Sequence, residues 1–358
     1  MKPLLFTSNK PFSGKSSICI GLGKLLQERG YNIGYMKPLG TLPEKIGKDY
    51  IDKDVKDISN ILGTKDSLKD MSPLVFLEKD YDDVLKQKMK ETSKKYLKII
   101  DKSFEKISQN KDLVVVEGAK NSKYGIAAGL SSKEICKSIG AKVINVVKYT
   151  EDDDITDIAI YYKEFFKECF GGIILNLLPL ENIERFQNTV VPYLQKRKVN
   201  VFGIMPIDKV LSSISVGEIA RCLDGKVICA NDKINELVES FMVGAMGHEL
   251  ALRFFRKSSN KVVITGGDRA DIQLAAMETN TKCIVLTGNY DPNPTVVGRA
   301  EELEIPMIVV ECDTLSAVGK LYDIMGRSSV NTKVKLDRLI KIVKDYIDIE
   351  KILKLAKG

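Results

Sequence analysis

Short apolar runs alternate with longer amphipathic stretches along this chain, and this pattern predicts strands separated by helices. The apolar runs are too continuous for strands with one wet face, so they indicate a parallel sheet buried on both sides. In the first two hundred residues the predicted strands are 3–7, 32–36, 113–116, 142–147, 172–175 and 200–204. Helices are predicted at 15–29, 131–140, 153–168 and 181–197. The sequence therefore predicts a doubly wound parallel-sheet α/β domain over residues 1–210.

The rest of the chain differs from this pattern in its distribution of polar and apolar residues. Residues 42–110 are polar and are predicted to be mainly helical, with a long helix over 86–107. After a polar linker at 208–216, a smaller α/β domain is predicted over 211–328. Its expected strands are 262–264, 283–286 and 307–310, and its expected helices are 233–255, 268–278, 294–303 and 314–325. A Lys-rich amphipathic helix is predicted for 329–358.

Composition narrows the class of protein. The chain has 358 residues, of which 44% are hydrophobic, and a formal net charge of +7 with no basic run longer than 196–198. No concentrated basic stripe is present, so a nucleic-acid partner is not expected. No apolar run approaches the roughly 18 residues of a membrane span, and the N-terminus lacks a signal-peptide pattern. We therefore expect a cytoplasmic protein without a membrane partner.

The cysteines and the histidine restrict the chemistry further. Seven cysteines are scattered without a CxxC pair, which favours reduced, buried thiols over a disulfide framework or a zinc site. His248 is the single histidine, so a histidine-rich metal centre or a Ser-His-Asp triad is not expected. The candidate chemistry must be sought elsewhere in the chain.

A phosphate-binding loop follows the first predicted strand. Gly14-Lys15-Ser16 lies between a strand and a helix, which is the context of a P-loop. Backbone N–H groups from Ser13 to Ser17 and the helix N-terminus would hold phosphate oxygens. Lys15 would place its charge between the β- and γ-phosphates, and the Ser16 hydroxyl would bind Mg²⁺. These residues predict a site for ATP or a related nucleotide with Mg²⁺. An ordinary turn with a helix cap is the competing interpretation.

Two residues depart from the usual loop pattern. Asn9 stands where the first glycine is expected, and asparagine tolerates the left-handed conformation better than most residues. Lys10 lies five residues before Lys15, a spacing similar to the deviant motif of the MinD-like family. In that family the earlier lysine reaches the nucleotide of a dimer partner. The alternative for Lys10 is an ordinary surface lysine.

Polar residues end several of the predicted parallel strands, where ligands of doubly wound sheets bind. Lys37 and Glu117 each follow a strand, and Glu117 is a candidate Mg²⁺ ligand. Asp54 and Asp52 are further candidates, although with Asp49 and Asp57 they also fit a solvated acidic face. Other candidate contacts to the nucleotide base lie at the ends of the predicted strands 172–175 and 200–204. They are Asn176 and the segment 203–206 with Pro206.

The smaller domain has a candidate site of its own. A glycine pair precedes Asp268 and Arg269, which is a turn able to accept a phosphate or a carboxylate. Candidate contacts to such a small anionic metabolite are Gly267, Asp268, Arg269, Thr287 and Gly288. The alternative is structural, with Asp268 capping the helix and Arg269 paired with Asp271 or Glu301.

The first domain resembles dethiobiotin synthetase and its relatives. The resemblance covers roughly residues 1–210 and rests on five segments in order: Gly14-Lys15-Ser16, Tyr35-Met36-Lys37-Pro38, Glu117-Gly118-Ala119, Asn176 and Gly203-Ile204-Met205-Pro206. It implies that the P-loop binds ATP, that Lys37 contacts the substrate, and that Asp54 and Glu117 hold Mg²⁺. It also implies that Asn176 helps to select the base and that the protein is a homodimer.

The second domain resembles the DRTGG domain. The resemblance rests on Gly266-Gly267-Asp268-Arg269-Ala270-Asp271-Ile272, on Leu286-Thr287-Gly288-Asn289 and on Met242-Val243-Gly244-Ala245-Met246. Asn289 departs from the family pattern, which has glycine there. Together the two domains are similar to the N-terminal regulatory half of long bacterial phosphate acetyltransferases. The acetyltransferase half is absent from the sequence, so that activity is not expected.

Three functions remain open at this point. The first is a nucleotide-binding regulator that senses a small anionic metabolite. The second is an ATP-dependent carbon–nitrogen ligase of the dethiobiotin synthetase or cobyrinic acid diamide synthase type, with Lys15 and Lys37 as catalytic residues and a carboxylate or carbamate as substrate. The third is a structural partner of a separate acetyltransferase. Any ATP hydrolysis is expected to be slow, because no residue is clearly placed to orient the attacking water.

Overall fold

The computed structural model describes residues 1–77, 82, 84–86, 89–150, 154–325, 330 and 332–358. The predicted helix 86–107 thus includes two residues, 87 and 88, that lie outside the described part of the chain. The chain divides into two compact units. Unit 1 comprises Met1–Ile207 and Val330–Gly358, and unit 2 comprises Asp208–Ser329.

Unit 1 is built around a six-stranded sheet with the order β10-β9-β8-β1-β7-β2. The described residues of the unit form the strands β1 (Leu4–Ser8), β2 (Ile33–Met36), β3 (Leu39–Gly40), β4 (Pro43–Ile46), β5 (Asp49–Asp52), β6 (Leu74–Val75), β7 (Leu113–Glu117), β8 (Lys142–Lys148), β9 (Phe170–Leu178) and β10 (Val201–Pro206). All neighbouring strands of the large sheet run parallel. Their carboxyl ends therefore share one edge.

Helices connect these strands, as the periodicity predicts. They are α1 (Lys15–Glu28), α2 (Lys53–Leu62), α3 (Leu68–Met71), α4 (Met89–Ser108), α5 (Ser132–Ile139), α6 (Ile155–Phe166), α7 (Ile183–Arg185) and α8 (Val191–Lys196). A π-helical segment, Phe186–Val190, joins the last two. The sheet grows from β1 to β2 on one side and through β8 to β10 on the other, so the doubly wound fold is confirmed.

The segment after β2 is less helical than expected. Residues 42–110 hold the antiparallel hairpin of β4 and β5 as well as α2, α3 and α4. The hairpin turns at Gly47, whose φ of 62° suits glycine. Its strand β4 is largely exposed, with a pattern that carries no apolar run. A polar two-stranded hairpin therefore gave no periodic signal to distinguish it from a solvated helix.

Unit 2 is a smaller α/β domain with a five-stranded sheet in the order β12-β17-β16-β15-β14. Its strands are β11 (Ile214–Ser215), β12 (Lys226–Cys229), β13 (Leu237–Val238), β14 (Ser240–Val243), β15 (Lys261–Gly266), β16 (Thr281–Thr287) and β17 (Met307–Val309). Its helices are α9 (Lys209–Ser212), α10 (Val216–Leu223), α11 (His248–Phe255), α12 (Ala270–Met277), α13 (Pro294–Glu302) and α14 (Thr314–Met325). Only β12 pairs antiparallel in this sheet, at one edge.

One helix prediction in unit 2 is wrong. The stretch 233–255 contains β13 and β14, and helix α11 begins only at His248. Strand β14 pairs in parallel with β15 from Ser240 to Val243. Its residues are only partly buried, so the pattern lacks the continuous apolar run that marked the central strands. Pairing with a neighbour distant in sequence decided the structure here.

Residues 330 and 332–358 belong to unit 1 and include two helices, where the sequence predicts one over 329–358. Helices α15 (Lys333–Tyr346) and α16 (Ile349–Lys357) are separated because Ile347 bridges Gly203 at the edge of β10. The Asp348 N–H donates to the Phe202 carbonyl (2.7 Å). Helix α15 packs against α1, where a β-carbon at Gly21 would lie 2.6 Å from Val343. A small residue therefore permits this close approach.

Within the residues that the structure describes, we find no helix that combines the length and the apolar character needed to cross a membrane.

Candidate functional site

Lys15 begins helix α1 directly after the loop that follows β1, and its side chain reaches back to Ser8 at the end of that strand. The Lys15 ammonium donates to the Ser8 hydroxyl (2.9 Å) and to the Lys120 carbonyl (3.1 Å). The side chain is 7% exposed, and burial lowers its pKa from the ordinary value. Neutral oxygens thus hold the ammonium at the loop, where a phosphate group could replace them.

The conformation of the loop differs from the expectation at Asn9. The loop residues with positive φ are Phe12 (53°) and Gly14 (81°), rather than Asn9. The Asn9 side chain instead binds the end of β8, because its Oδ1 accepts from the Lys148 N–H (2.9 Å) and its Nδ2 donates to the Lys148 carbonyl (3.4 Å). Asparagine at this position fastens the loop to the neighbouring strand.

Asn176 lies directly beneath the loop. Its Nδ2 donates to the Ser13 carbonyl (2.8 Å), and a β-carbon at Gly14 would collide with it. The side chain is 5% exposed. Asn176 thus supports the loop in this structure, while Pro206, at the end of β10, pairs with Leu178 of β9. Pro206 is the last residue of its strand, as expected, whereas β9 continues two residues beyond Asn176 to Leu178.

Glu117 lies at the end of β7 and is 2% exposed. Its Oε1 accepts from the Ser16 hydroxyl (2.8 Å) and its Oε2 accepts from the Tyr35 hydroxyl (2.9 Å). Burial raises the pKa of Glu117, and the charge of Asp54 adds to this, while Lys37, Lys15 and the bond from Ser16 oppose it. The carboxylate is therefore aimed at the first turn of α1.

Lys37 follows β2 and is surrounded by carboxylates. Its ammonium lies 2.9 Å from Asp52 Oδ1, 2.8 Å from Asp54 Oδ2 and 3.9 Å from Glu117 Oε1. Burial alone would lower the pKa of Lys37, but Glu117, Asp52 and Asp54 more than offset this and raise it. The ammonium is therefore held in its charged form by three carboxylates.

The two aspartates of this cluster differ in their surroundings. Asp52 is fully buried and caps α2, and its oxygens accept from the N–H groups of Thr41, Leu42 and Asp54. Asp54 is 35% exposed in its side chain. Of the two, Asp54 is the one whose carboxylate can take a new partner without breaking a helix cap.

The donor set fits Mg²⁺. Ser16 offers a hydroxyl, and Glu117 and Asp54 offer carboxylates, which are the hard oxygen ligands that Mg²⁺ prefers. Among the described residues, no group of three or more His, Cys, Asp or Glu side chains is arranged to hold a metal by itself.

Two other candidates at the loop, Lys10 and Ser17, are less buried than Lys15. The Lys10 ammonium donates to the Thr150 hydroxyl (3.3 Å) and is only half-buried. Ser17 is half-buried in the first turn of α1.

The sequence did not identify Tyr35 as part of the site. Tyr35 is fully buried, and its hydroxyl contacts Glu117 from β2. Tyr35 and Lys37 are two positions apart, and residues two apart in an extended chain lie on the same side of it. That alternation was the available signal, but a tyrosine in an apolar strand is commonly a packing residue.

In unit 2 the candidate residues are largely engaged with one another. Arg269 forms a two-pronged bond with Asp271 (3.0 Å each) and donates to the Met246 carbonyl (3.0 Å). The Thr287 hydroxyl contacts the Thr314 hydroxyl (2.9 Å). Asp268 is exposed, and Gly267 and Gly288 shape the turns after β15 and β16. Arg269 therefore has the structural partner that was the alternative to an anion.

A parallel sheet whose first strand leads through a Gly-Lys-Ser loop into a helix defines the class of P-loop proteins. The chain belongs to the family whose model is described as an AAA domain and matches residues 2–215. A second model, described as a DRTGG domain, matches residues 218–324. Both resemblances seen in the sequence are thereby confirmed.

Curated relatives agree with this assignment. A phosphate acetyltransferase of Synechocystis is 24% identical, over 99% of this chain and 52% of the relative. The ATP-dependent dethiobiotin synthetase BioD of Caldicellulosiruptor saccharolyticus is 26% identical, over 54% of this chain and 81% of the relative. The chain thus spans about half the length of the curated phosphate acetyltransferases that it matches.

Solved structures resemble the two units only loosely. The CBS and DRTGG regulatory region of Clostridium perfringens pyrophosphatase covers 40% of this chain and 70% of its own, with a TM-score of 0.30 and 18% identity. The MinD cell division protein of Aquifex aeolicus covers 59% of this chain and 84% of its own, with a TM-score of 0.35 and 16% identity.

Proposed function

We propose that unit 1 binds ATP together with Mg²⁺ at the P-loop. The observation that carries the proposal is the bond from the Ser16 hydroxyl to Glu117 (2.8 Å), one residue after the buried ammonium of Lys15. A hydroxyl, a carboxylate and an ammonium at one helix N-terminus match the chemistry of a magnesium triphosphate. A helix cap alone would not require a buried glutamate.

Each residue has a task in this proposal. Lys15 leaves Ser8 and the Lys120 carbonyl to bind phosphate oxygens, with backbone N–H groups of the loop. Ser16, Glu117 and Asp54 hold the cation, which neutralises phosphate charge when it is bound. Asn176 keeps the loop in shape through Ser13 and lies near the expected position of the base.

We further propose that the chain is a regulatory or metabolite-sensing relative of the N-terminal region of phosphate acetyltransferases. The similarity to the Synechocystis relative extends over both units, and this supports a role shared by the pair of domains. In this view unit 1 responds to the nucleotide and unit 2 responds to a small anionic metabolite. A homodimer in the cytoplasm is part of the same proposal.

An ATP-dependent ligase is the second candidate, and the position of Lys37 favours it. The ammonium lies 3.9 Å from Glu117, so a substrate carboxylate or carbamate bound by Lys37 would be near the transferred phosphate. The similarity to dethiobiotin synthetase over unit 1 supports this candidate as well. Such a reaction would transfer the γ-phosphoryl group of ATP to an oxygen of the carboxylate or carbamate, which gives ADP and an acyl phosphate or a carbamic–phosphoric anhydride. An amine would then attack the carbonyl carbon and release inorganic phosphate.

Calorimetry tests nucleotide binding directly. ATP and GTP, each with Mg²⁺, would be titrated into the parent chain, the Lys15→Ala variant and the Lys24→Ala variant. We expect saturable ATP binding that Lys15→Ala weakens at least about a hundredfold, because a charge-assisted contact to phosphate is lost. Lys24→Ala, on the same helix, serves as the matched control and should bind as the parent does.

The same titration can reject the proposal. If neither nucleotide binds at millimolar concentration, unit 1 is not a nucleotide site. Equal binding by the parent and by Lys15→Ala would place the nucleotide elsewhere. Phosphate release in the presence of amine-bearing carboxylates then separates the two candidate functions. A ligase releases phosphate from ATP only when its substrate is present, whereas the rate of phosphate release by a regulator does not depend on such a substrate.

A further inference from the structure

Lys37 occupies a position that a metal ion would suit. Its ammonium is 3% exposed and lies between Asp54 (2.8 Å) and Glu117 (3.9 Å), the two carboxylates proposed to hold the cation. Asp52 completes the set at 2.9 Å. A positive charge is thus already present among the proposed ligands before any cation binds.

The charges of the cluster show why an ammonium is needed there. Asp52, Asp54 and Glu117 contribute −3 and Lys37 contributes +1, which leaves −2. Buried carboxylates without a counter-charge strongly destabilise a fold. Lys37 therefore compensates part of this charge in the ligand-free protein. Lys15 contributes a further positive charge near Glu117, and a divalent cation would add to this compensation.

The carboxylates are not equally free to leave Lys37. Asp52 accepts three backbone N–H groups, so it remains satisfied and anchors the ammonium. Asp54 is 35% exposed, and Glu117 is oriented by Ser16 and Tyr35 rather than by Lys37. An incoming cation can therefore take Asp54 and Glu117 while Lys37 stays attached to Asp52.

We propose that the Lys37 ammonium is the resident occupant of the divalent-cation site, and that it excludes the cation until a nucleotide arrives. This inference rests on the proposed function. Phosphate oxygens supply the additional ligands that make displacement of the ammonium favourable, so the cation and the nucleotide bind together and the cation alone binds weakly. The ammonium then keeps Asp52 as its partner and no longer contacts Asp54 and Glu117.

Manganese binding without nucleotide tests this ordering. Mn²⁺ would be titrated into the nucleotide-free parent chain and into Lys37→Met, with free Mn²⁺ measured by electron paramagnetic resonance. We expect Lys37→Met to bind Mn²⁺ at least about tenfold more tightly than the parent, because unit charges a few ångströms apart repel strongly in a buried site. Lys53→Met, which removes an exposed lysine between the two aspartates, is the matched control and should behave as the parent.

A second measurement needs no substitution at Lys37, in case that variant does not fold. Acetylation of the parent chain by acetic anhydride, followed by mass spectrometry, reports the access to each lysine. We expect Lys37 to be protected in the free protein and to react several-fold faster relative to Lys53 when Mn²⁺ and ADP are both added. ADP leaves the γ-phosphate position open.

The outcomes are distinguishable from those of the proposed function. Equal Mn²⁺ affinities of the parent and Lys37→Met, or unchanged protection of Lys37 with Mn²⁺ and ADP, would overturn the exchange even if MgATP binds. Failure of MgATP to bind, with tighter Mn²⁺ binding in Lys37→Met, would overturn the nucleotide proposal and leave the ammonium as the occupant of the cation site.

Discussion

The charged side chains at the carboxyl ends of the strands differ in burial between unit 1 and unit 2. In unit 1 the charged groups are buried, since Lys37 is 3% exposed and Glu117 is 2% exposed. In unit 2, Arg269 and Asp271 form an ion pair with side chains that are 35% and 47% exposed. The two sheets have similar architecture, so this difference does not follow from the fold class.

The difference in burial distinguishes a candidate ligand site in unit 1 from an ordinary surface ion pair in unit 2. Burying several ionised groups is costly, and a structure retains them where their charges serve a further purpose. An exposed ion pair two residues apart has little cost and needs no further explanation. Unit 1 is therefore the better supported ligand site, and the anion site of unit 2 stays a prediction from the sequence.

Glu117→Gln gives the largest expected effect. The amide keeps the shape but loses the charge, so we expect affinity for Mn²⁺ in the presence of ADP to fall at least about a hundredfold, more than removal of a residue that only orients a ligand. Electron paramagnetic resonance of Mn²⁺ measures this. Glu134→Gln, in α5, is the matched control. An unchanged affinity in Glu117→Gln would remove Glu117 from the cation site.

Acid should reproduce that loss in the parent chain. Burial raises the pKa of Glu117, so the carboxylate needed for the cation is present above this raised pKa and is lost as pH falls through it. We expect Mn²⁺ affinity to decline as pH is lowered, with the decline beginning above the ordinary glutamate pKa of about 4.3. A profile that stays flat down to that pH would contradict the assignment.

Tyr35→Phe sharpens the same point. Loss of the hydroxyl frees one oxygen of Glu117, and we expect affinity for Mn²⁺ with ADP to fall about tenfold, as for other residues that orient a metal ligand. Binding of ADP without any divalent cation should not change, which a purely structural effect would not predict. Tyr31→Phe, just before β2, controls for the loss of a hydroxyl.

Asn9→Gly tests the loop. The variant restores the usual glycine but removes both contacts with Lys148. We therefore expect its free energy of unfolding, measured by urea denaturation, to be about 1 kcal/mol lower than that of the parent. Asn9→Asp keeps the acceptor for the Lys148 N–H and should lose less. If Asn9→Gly were as stable as the parent, the contacts with β8 would have no net effect on stability.

Arg269→Ala should have the smallest effect. Its ion pair with Asp271 is exposed and its bond to the Met246 carbonyl is only partly buried, so we expect a loss below about 1 kcal/mol in the free energy of unfolding. MgATP affinity should stay within experimental error. A large loss of stability would show that the contrast between the two units is overstated.

The sequence predicts the parallel sheets well because their central strands are continuous apolar runs. The hairpin of β4 and β5 and the strand β14 lacked such runs, and their structure depends on pairing partners that local periodicity does not report. Lys15, Ser16, Lys37 and Glu117 were found because each follows a strand at the same edge. Their mutual distances come from the structure.

Some details of the site required side-chain geometry. The role of Asn9 depends on contacts with Lys148, which lies 139 residues away in the sequence. The contact of Tyr35 with Glu117 joins strands whose pairing the sequence does not specify. Long-range contacts of this kind leave no periodic trace, so spacing alone could not reveal them.

Hydrogen–deuterium exchange with ATP and Mg²⁺ locates the nucleotide on the chain and therefore tests the assignment of the P-loop. We expect slower exchange of backbone amides in the loop Asn9–Ser17 and near Glu117, and we expect Lys15→Ala to abolish this protection. The amides of unit 2 between Gly266 and Gly288 should be unaffected by the nucleotide. Protection confined to unit 2, or none in the loop at saturating ATP, would contradict the assignment of the P-loop as the nucleotide site.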